Sequence, residues 1–157
     1  MRYVLIDRIL AVTPGRALSA IKNVSASDDL VRQYAGRGSA LPASMVIEAM
    51  AQAAGLLALA TSDAGVQPVL AKVQPCVSHA EAVPGDQLRI DAVLEDVRAE
   101  GCRARVAAAA GGHPVADATI YLGFVPLEHE RAAVLRGALA ECFPGWFDRL
   151  RHAEASQ

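Results

Sequence analysis

One stretch of the chain is almost wholly apolar and is predicted to form a long helix. Between positions 43 and 60 the only polar side chains are Ser44, Glu48 and Gln52, and a proline stands just before it, where the start of a helix tolerates one. Because such a helix has no polar face, we expect it to be buried all round in the core of the fold. Its uninterrupted apolar run, 53–60, is far shorter than the ~20 residues that a bilayer requires, so we expect no membrane span.

The segments on either side of this helix have patterns typical of β-strands. Before it, two apolar runs are joined by Pro14-Gly15, a pair that marks a tight turn, so a hairpin is expected. After it, the hydrophobic pattern changes to a period of two, which predicts an antiparallel meander. We expect a short helical turn over 29–34, and an end of the long helix near Ser62-Asp63-Ala64-Gly65, with Gly65 as a left-handed stop. The predicted strands cover 6–12, 17–24, 67–77, 87–98, 102–110 and 115–125.

These elements predict an α+β fold in which one antiparallel sheet of about six strands wraps around one long buried helix, since this arrangement buries both most economically. The sheet and helix occupy residues 1–126. Residues 127–157 are charged and helix-prone, and a Pro-Gly pair interrupts them. We expect them to form a C-terminal extension of two short helices that docks on the sheet or on a second subunit. Its hydrophobic cluster comprises Phe143, Trp146, Phe147 and Leu150.

Composition narrows the possible functions. The chain has 15 basic and 17 acidic residues, no basic run and only 4% aromatic residues, which argues against nucleic-acid binding. The N-terminus is too short and too charged, at Asp7 and Arg8, to be a secretory signal, so a cytoplasmic location is expected. The cysteines lack the spacing of a zinc site or a disulfide framework, so we expect no metal. They are Cys76, Cys102 and Cys142.

Glu48 is the residue on the apolar helix that calls for an explanation. Glu48 and Gln52 are four residues apart, so a carboxylate and an amide share one side of the helix. A buried carboxylate is costly unless it is paired or used. Glu48 is therefore the first candidate for chemistry.

Six segments of the chain carry a resemblance to one family: Asp7-Arg8-Ile9-Leu10, Pro14-Gly15, Ile21-Lys22-Asn23-Val24, Gly36-Arg37, Glu48-Ala49-Met50-Ala51-Gln52 and Pro84-Gly85-Asp86-Gln87-Leu88-Arg89. In this order they resemble the bacterial 3-hydroxyacyl-[acyl-carrier-protein] dehydratases of the hotdog fold. The resemblance covers about residues 5–125. It implies that residues 1–126 form a hotdog domain, that two subunits pair edge to edge into a double-hotdog dimer, and that the active sites lie between subunits.

The resemblance also implies roles for two catalytic positions. In that family a loop histidine of one subunit works with the acid of the central helix of the other, and the pair removes the C2 proton and protonates the leaving 3-hydroxyl. Glu48 occupies the acid position, and Gln33 stands where the loop histidine should be. An amide cannot take a proton near neutral pH as imidazole can, so dehydration would have to proceed without the usual histidine. His113 or His129 of a neighbouring subunit is the substitute to consider.

Substrate-binding positions follow from the same resemblance. The start of the helix, at Ala43 and Ser44, would offer free amides and a positive dipole end to the thioester carbonyl. Gln52 is the companion of the acid, and Gly36 and Arg37 belong to the loop after Gln33. No cofactor is implied, because the acyl chain is carried on the phosphopantetheine of acyl carrier protein or on coenzyme A.

Three functions remain open from the sequence. The first is a dehydratase-like enzyme of fatty-acid or polyketide-type synthesis with Glu48 as acid/base. The second is a hotdog acyl thioesterase that uses Gln33 and Glu48, whose separation is similar to that in one branch of those enzymes. The third is a non-catalytic acyl-binding or partner subunit of a heteromeric dehydratase. The expected partners are acyl carrier protein or acyl-CoA, and a second hotdog subunit, identical or different.

Overall fold

The fold is that of a computed structural model, which describes residues 4–33 and 39–146; at positions 32 and 33 the description is of the backbone. Within these ranges the chain forms six strands and three helices. In chain order they are β1 (Arg8–Thr13), β2 (Ala17–Asn23), α1 (Asp29–Gln33), α2 (Ala43–Thr61), β3 (Val66–Ser78), β4 (Gln87–Arg98), β5 (Gly101–Ala110), β6 (His113–Pro126) and α3 (His129–Cys142).

The six strands form one antiparallel sheet in the order β1-β2-β4-β5-β6-β3. The β1–β2 hairpin turns at Gly15, whose φ of 73° is one that glycine adopts without strain. The predicted α+β architecture, a sheet wrapped around a central helix, is confirmed. Each predicted strand is present, with ends that differ from the prediction by at most two residues.

Helix α2 fills the concave side of the sheet, and small side chains allow the close approach. Met50 and Leu57 are fully buried and each contributes roughly 1.5–3 kcal/mol of hydrophobic stabilisation. The facing positions of three strands are alanines with no exposed surface, namely Ala20, Ala92 and Ala104. By length and composition α2 could cross a membrane, but 61% of its most apolar window is buried inside the fold, as in the core helix of a soluble domain.

The prediction that α2 is buried all round is wrong for one side and for its first turn. Glu48, Gln52 and Gly55 are only partly buried, and Ala43 and Ser44 are exposed. One wide face of the helix packs on the sheet, whereas these positions remain accessible to solvent.

The prediction that Gly65 ends α2 in a left-handed conformation is also wrong. At this end of α2 the residues with positive φ are Asp63, at 48°, and Ala64, at 57°. The Gly65 N–H donates instead to Ser62 O at 2.9 Å, and Gly65 O accepts from Leu127 N at 3.0 Å. The hydrogen bonds of Gly65 therefore connect the end of the helix to the start of the C-terminal segment.

Helix α3 packs against the core of its own chain. Leu139, Phe143 and Trp146 are buried in the same hydrophobic cluster as the sheet and α2, and Phe143 and Trp146 line a small cleft with Ile9 of β1. Of the two alternatives left open by the sequence, docking on the sheet is therefore the one observed within the chain. The second predicted helix, with Phe147 and Leu150, lies outside the described residues.

Candidate functional site

Glu48 and Gln52 form a hydrogen-bonded pair on the accessible side of α2. Gln52 Nε2 donates to Glu48 Oε1 at 3.1 Å, and the backbone N–H of Leu5 donates to Gln52 Oε1 at 2.8 Å. Since a backbone N–H can only donate, it selects the amide oxygen of Gln52 and turns the NH₂ group toward the carboxylate. The backbone N–H of Leu5, 47 residues away from Gln52 in the sequence, thus helps to orient the Glu48 carboxylate through Gln52.

A groove of about 410 Å³ runs along α2 from this pair. Glu48 and Gln52 lie at one end of it, Gln67 of β3 also contributes to its lining, and the rest of its wall is apolar. This size and lining are typical of small-molecule sites, which combine an apolar wall with a few convergent polar groups. The remaining lining residues are Ala51, Gly55, Leu56, Leu59, Pro68, Leu70, Leu122 and Leu135.

A second cavity, of about 340 Å³, lies at the N-terminus of α2. Ala43 lines it together with Cys76 and Ser78 of β3. Helix α2 begins without a side-chain cap, after Pro42, and the first amides of a helix have no acceptor within the helix. The first turn of α2 therefore presents N–H groups and a positive dipole end on the side of this cavity.

The predicted site is divided between these two cavities. Glu48 and Gln52 lie together in the groove, whereas Ala43 lines the second cavity. Residues five apart on a helix of 3.6 residues per turn point about 140° away from each other, so Ala43 and Glu48 of one chain cannot face the same small group. Ser44 is exposed beside Ala43. The side chain of Gln33, and Gly36 and Arg37, lie outside the described part of the chain.

No histidine within the described ranges lines either cavity. His79 Nε2 lies 2.5 Å from Asp117 Oδ2 on the outer surface of the sheet, where both side chains are half exposed. His113 begins β6 and His129 begins α3. In a single chain, none of these three supplies the imidazole that the resemblance expects beside Glu48.

Most of the groove wall was not predicted from the sequence. Leu70, Leu122 and Leu135 come from β3, β6 and α3, and each carries an ordinary strand or helix pattern. Only their meeting in the same groove distinguishes them. Among the described residues, no group of three histidine, cysteine or acidic side chains could hold a metal ion.

A six-stranded antiparallel sheet around a central helix, with an acid of that helix at the head of an apolar groove, defines a hotdog-fold protein. Comparison with known proteins identifies the family. A model described as FabA-like domain matches residues 1–123, and the chain belongs to this family.

A curated relative agrees with this assignment, and two solved structures share the fold. The 3-hydroxyacyl-[acyl-carrier-protein] dehydratase FabZ of Listeria monocytogenes serotype 4b is 32% identical over 120 residues, which cover 75% of this chain and 83% of the relative. The smu.793 protein of Streptococcus mutans UA159, solved with acetyl-CoA, has a TM-score of 0.65 at 16% identity and covers 80% of this chain and 94% of its own. A hypothetical thioesterase of Streptococcus pneumoniae TIGR4, solved with coenzyme A, has a TM-score of 0.63 at 16% identity over 77% and 90%. At these identities the two structures establish the fold.

Proposed function

We propose that this protein acts on acyl thioesters by dehydratase-type chemistry, with Glu48 as the acid/base. The observation that carries the proposal is the oriented Glu48 carboxylate at the head of an apolar groove. The reacting part of a 3-hydroxyacyl thioester would lie at Glu48 and its alkyl chain would continue along α2. Membership of the FabA-like family supports the same substrate class.

A single carboxylate can balance the reaction. The Glu48 carboxylate would take the C2 proton and, as the carboxylic acid, return it to the 3-hydroxyl, which leaves as water while the C2–C3 double bond forms. Positioned general acid–base groups of this kind contribute about 10²–10⁴-fold to rate. Gln33 cannot move a proton near neutral pH, so in this proposal it offers hydrogen bonds only.

The thioester carbonyl would be held by the α2 N-terminus of a second subunit, because Ala43 and Glu48 of one chain face different cavities. Strand β3 is the edge through which the subunits would pair: within the described residues it is hydrogen-bonded on one side only, to β6, and it exposes Val69 and Val77. Long apolar edges of this kind favour pairing with another strand.

Strand β3 contributes residues to the lining of both cavities, and this supports the proposed dimer. Pro68, near its beginning, lines the Glu48 groove, and Cys76, near its end, lines the cavity of Ala43. If two β3 strands pair antiparallel, the beginning of one lies beside the end of the other. The groove of one subunit would then meet the helix start of its partner, and two complete sites would form.

A second candidate is a heteromeric assembly in which this chain binds the acyl group and a different hotdog subunit supplies the histidine. The observation in its favour is that His79, His113 and His129 all lie away from the groove. In this case the isolated protein would bind acyl thioesters without dehydrating them.

The carrier in this proposal is acyl carrier protein or coenzyme A, and the reaction takes place in the cytoplasm. The Listeria relative is named for a carrier-protein substrate, and the two Streptococcus structures hold coenzyme A or acetyl-CoA. Elimination of water from a 3-hydroxyacyl thioester needs only proton transfer and carbonyl polarisation, so no cofactor is part of the proposal.

The test is to assay the full-length protein with 3-hydroxyacyl and trans-2-enoyl thioesters, on both carriers, for dehydration, hydration and hydrolysis. Interconversion of the two thioesters is the expected result. Hydrolysis alone would favour the thioesterase, and binding without turnover would favour the partner subunit. Absence of binding and of all three reactions would contradict every acyl-thioester function.

A further inference from the structure

The wall of the Glu48 groove includes one side chain that the family match does not cover. The FabA-like match ends at residue 123, and α3 begins six residues later, at His129. Leu135 of α3 lines the groove and packs, partly buried, against the hydrophobic core. A residue of the C-terminal extension is therefore part of the candidate binding site.

Helix α3 is held at the far end of the groove from Glu48. Arg136 Nη1 donates to Asp63 O at 2.9 Å and to Asp63 Oδ2 at 3.0 Å, and Asp63 lies two residues after the end of α2. The lining residues on α2 run from Glu48 to Leu59, a length of about 16 Å at 1.5 Å per residue. Leu135, next to Arg136 in sequence, thus stands where a chain that starts at Glu48 would end.

The helix that presents Leu135 is anchored by buried side chains at and beyond its C-terminal end. Leu139, one turn further along, is buried, as are Phe143 and Trp146 beyond the helix. Displacement of α3 would expose these buried residues to water, which is unfavourable. The Leu135 side chain is therefore held in place and can limit the length of a chain bound in the groove.

We propose that Leu135 of the C-terminal extension limits the length of the acyl chain that the groove accepts. The proposal rests on the proposed function, since it takes the groove to be an acyl site. It adds a specificity determinant from a segment outside the family match. The chemical class of ligand is a saturated or unsaturated acyl thioester whose terminal methyl group contacts Leu135.

The experiment measures binding of a series of acyl-CoA thioesters, from butanoyl to hexadecanoyl, to the full-length protein by isothermal titration calorimetry. Leu135→Ala should move the best-bound chain to a longer one, and the affinity ratio of long to short chains should rise about tenfold, as burial of about two further methylene groups predicts. Leu135→Phe should move the optimum to a shorter chain.

Val134→Ala is the matched control. Val134 is adjacent on α3 but is 70% exposed, so its variant should retain the chain-length profile of the wild type. Leu135→Val keeps the core contact if Leu135→Ala does not fold, and should shift the optimum in the same direction by less. Circular dichroism melting checks that each variant is folded.

The outcomes separate the two proposals. Binding by the wild type with an unchanged profile in the folded Leu135 variants would overturn the role of Leu135 and leave the proposed function intact. Absence of binding for every chain length, on acyl carrier protein as well as on coenzyme A, would overturn the proposed function, and this inference with it. A shift of equal size in Val134→Ala would show a general effect of α3 and would also overturn the assignment to Leu135.

Discussion

The backbone N–H of Leu5 and the side chain of Gln52 are joined by a hydrogen bond of 2.8 Å, and this contact links the N-terminal segment to the candidate catalytic acid. Leu5 is buried, so its N–H needs an acceptor within the protein. Gln52 supplies it and passes the constraint to Glu48 through its NH₂ group. Gln52 therefore contributes both to the stability of the fold and to the orientation of the Glu48 carboxylate.

Replacement of Gln52 separates these two effects. Gln52→Ala leaves the Leu5 N–H without this acceptor, and we expect a loss of about 1–3 kcal/mol in the free energy of unfolding together with a fall in kcat. Gln52→Glu keeps an oxygen for Leu5 but places two carboxylates four residues apart, so stability should fall by less while kcat still falls. Urea unfolding and steady-state kinetics measure both. Wild-type kcat in both variants would contradict an orienting role for Gln52.

Glu48→Gln tests the acid itself. The amide has nearly the same shape as the carboxylate but cannot exchange a proton near neutral pH, so we expect a fall in kcat of about 10²–10⁴-fold with little change in thioester binding. Hydration of an enoyl thioester is the assay. Glu141→Gln, an exposed position on α3, should leave the rate unchanged. Survival of the rate in Glu48→Gln would remove Glu48 from the mechanism.

Gln33→His tests whether the rest of a dehydratase site is intact. An imidazole at this position could take and return a proton near neutral pH, so the variant should gain dehydration activity over the wild type. The same 3-hydroxyacyl substrates serve for the measurement. The gain should vanish in the double variant Gln33→His/Glu48→Gln. A gain that persists without Glu48 would contradict a shared site.

Val69→Lys tests the proposed β3 edge. Val69 lies on this edge strand and is 49% exposed, and a charge there would oppose edge-to-edge pairing. Sedimentation at micromolar concentration should show a dimer for the wild type and a shift toward monomer for Val69→Lys. Val134→Lys adds the same charge to an exposed position on α3 and should leave the assembly unchanged. A monomeric wild type would contradict the dimer.

Burial raises the pKa of the Cys102 thiol from 9.0 to about 11. Between these values the folded protein keeps a proton that the unfolded chain loses, so this contribution to stability is complete below pH 9 and is lost as the pH rises to about 11. The loss amounts to about 2–3 kcal/mol. In urea unfolding, the stability advantage of the wild type over Cys102→Ala should shrink over this interval, whereas that over Cys142→Ala, an exposed cysteine, should stay constant. A constant advantage over Cys102→Ala would contradict the prediction.

Much of the fold could be predicted because its signals are local. Helix α2 follows from an unbroken apolar composition after a proline, and β4 was predicted at the observed bounds, Gln87–Arg98, from a period of two between turn residues. The end of α2 lies next to the predicted segment 62–65, but the left-handed residue was predicted wrongly at Gly65, because glycine is the residue that ordinarily adopts this conformation. Asp63 has a positive φ instead. It accepts a hydrogen bond from Arg136, 73 residues away in the sequence.

By itself the sequence determined that one helix is buried in a curved sheet and that Glu48 and Gln52 share one side of it, because helical spacing and apolar composition act over a few residues. Tertiary structure decided which side chains surround that pair. The Leu5 amide donates to Gln52 from the segment before β1, and Leu122 and Leu135 line the groove from β6 and α3; no local pattern encodes such a meeting. Tertiary structure likewise decided that Ala43 and Glu48 line separate cavities. The two positions point in different directions from the helix axis, and each lines the cavity that the rest of the fold forms in its direction.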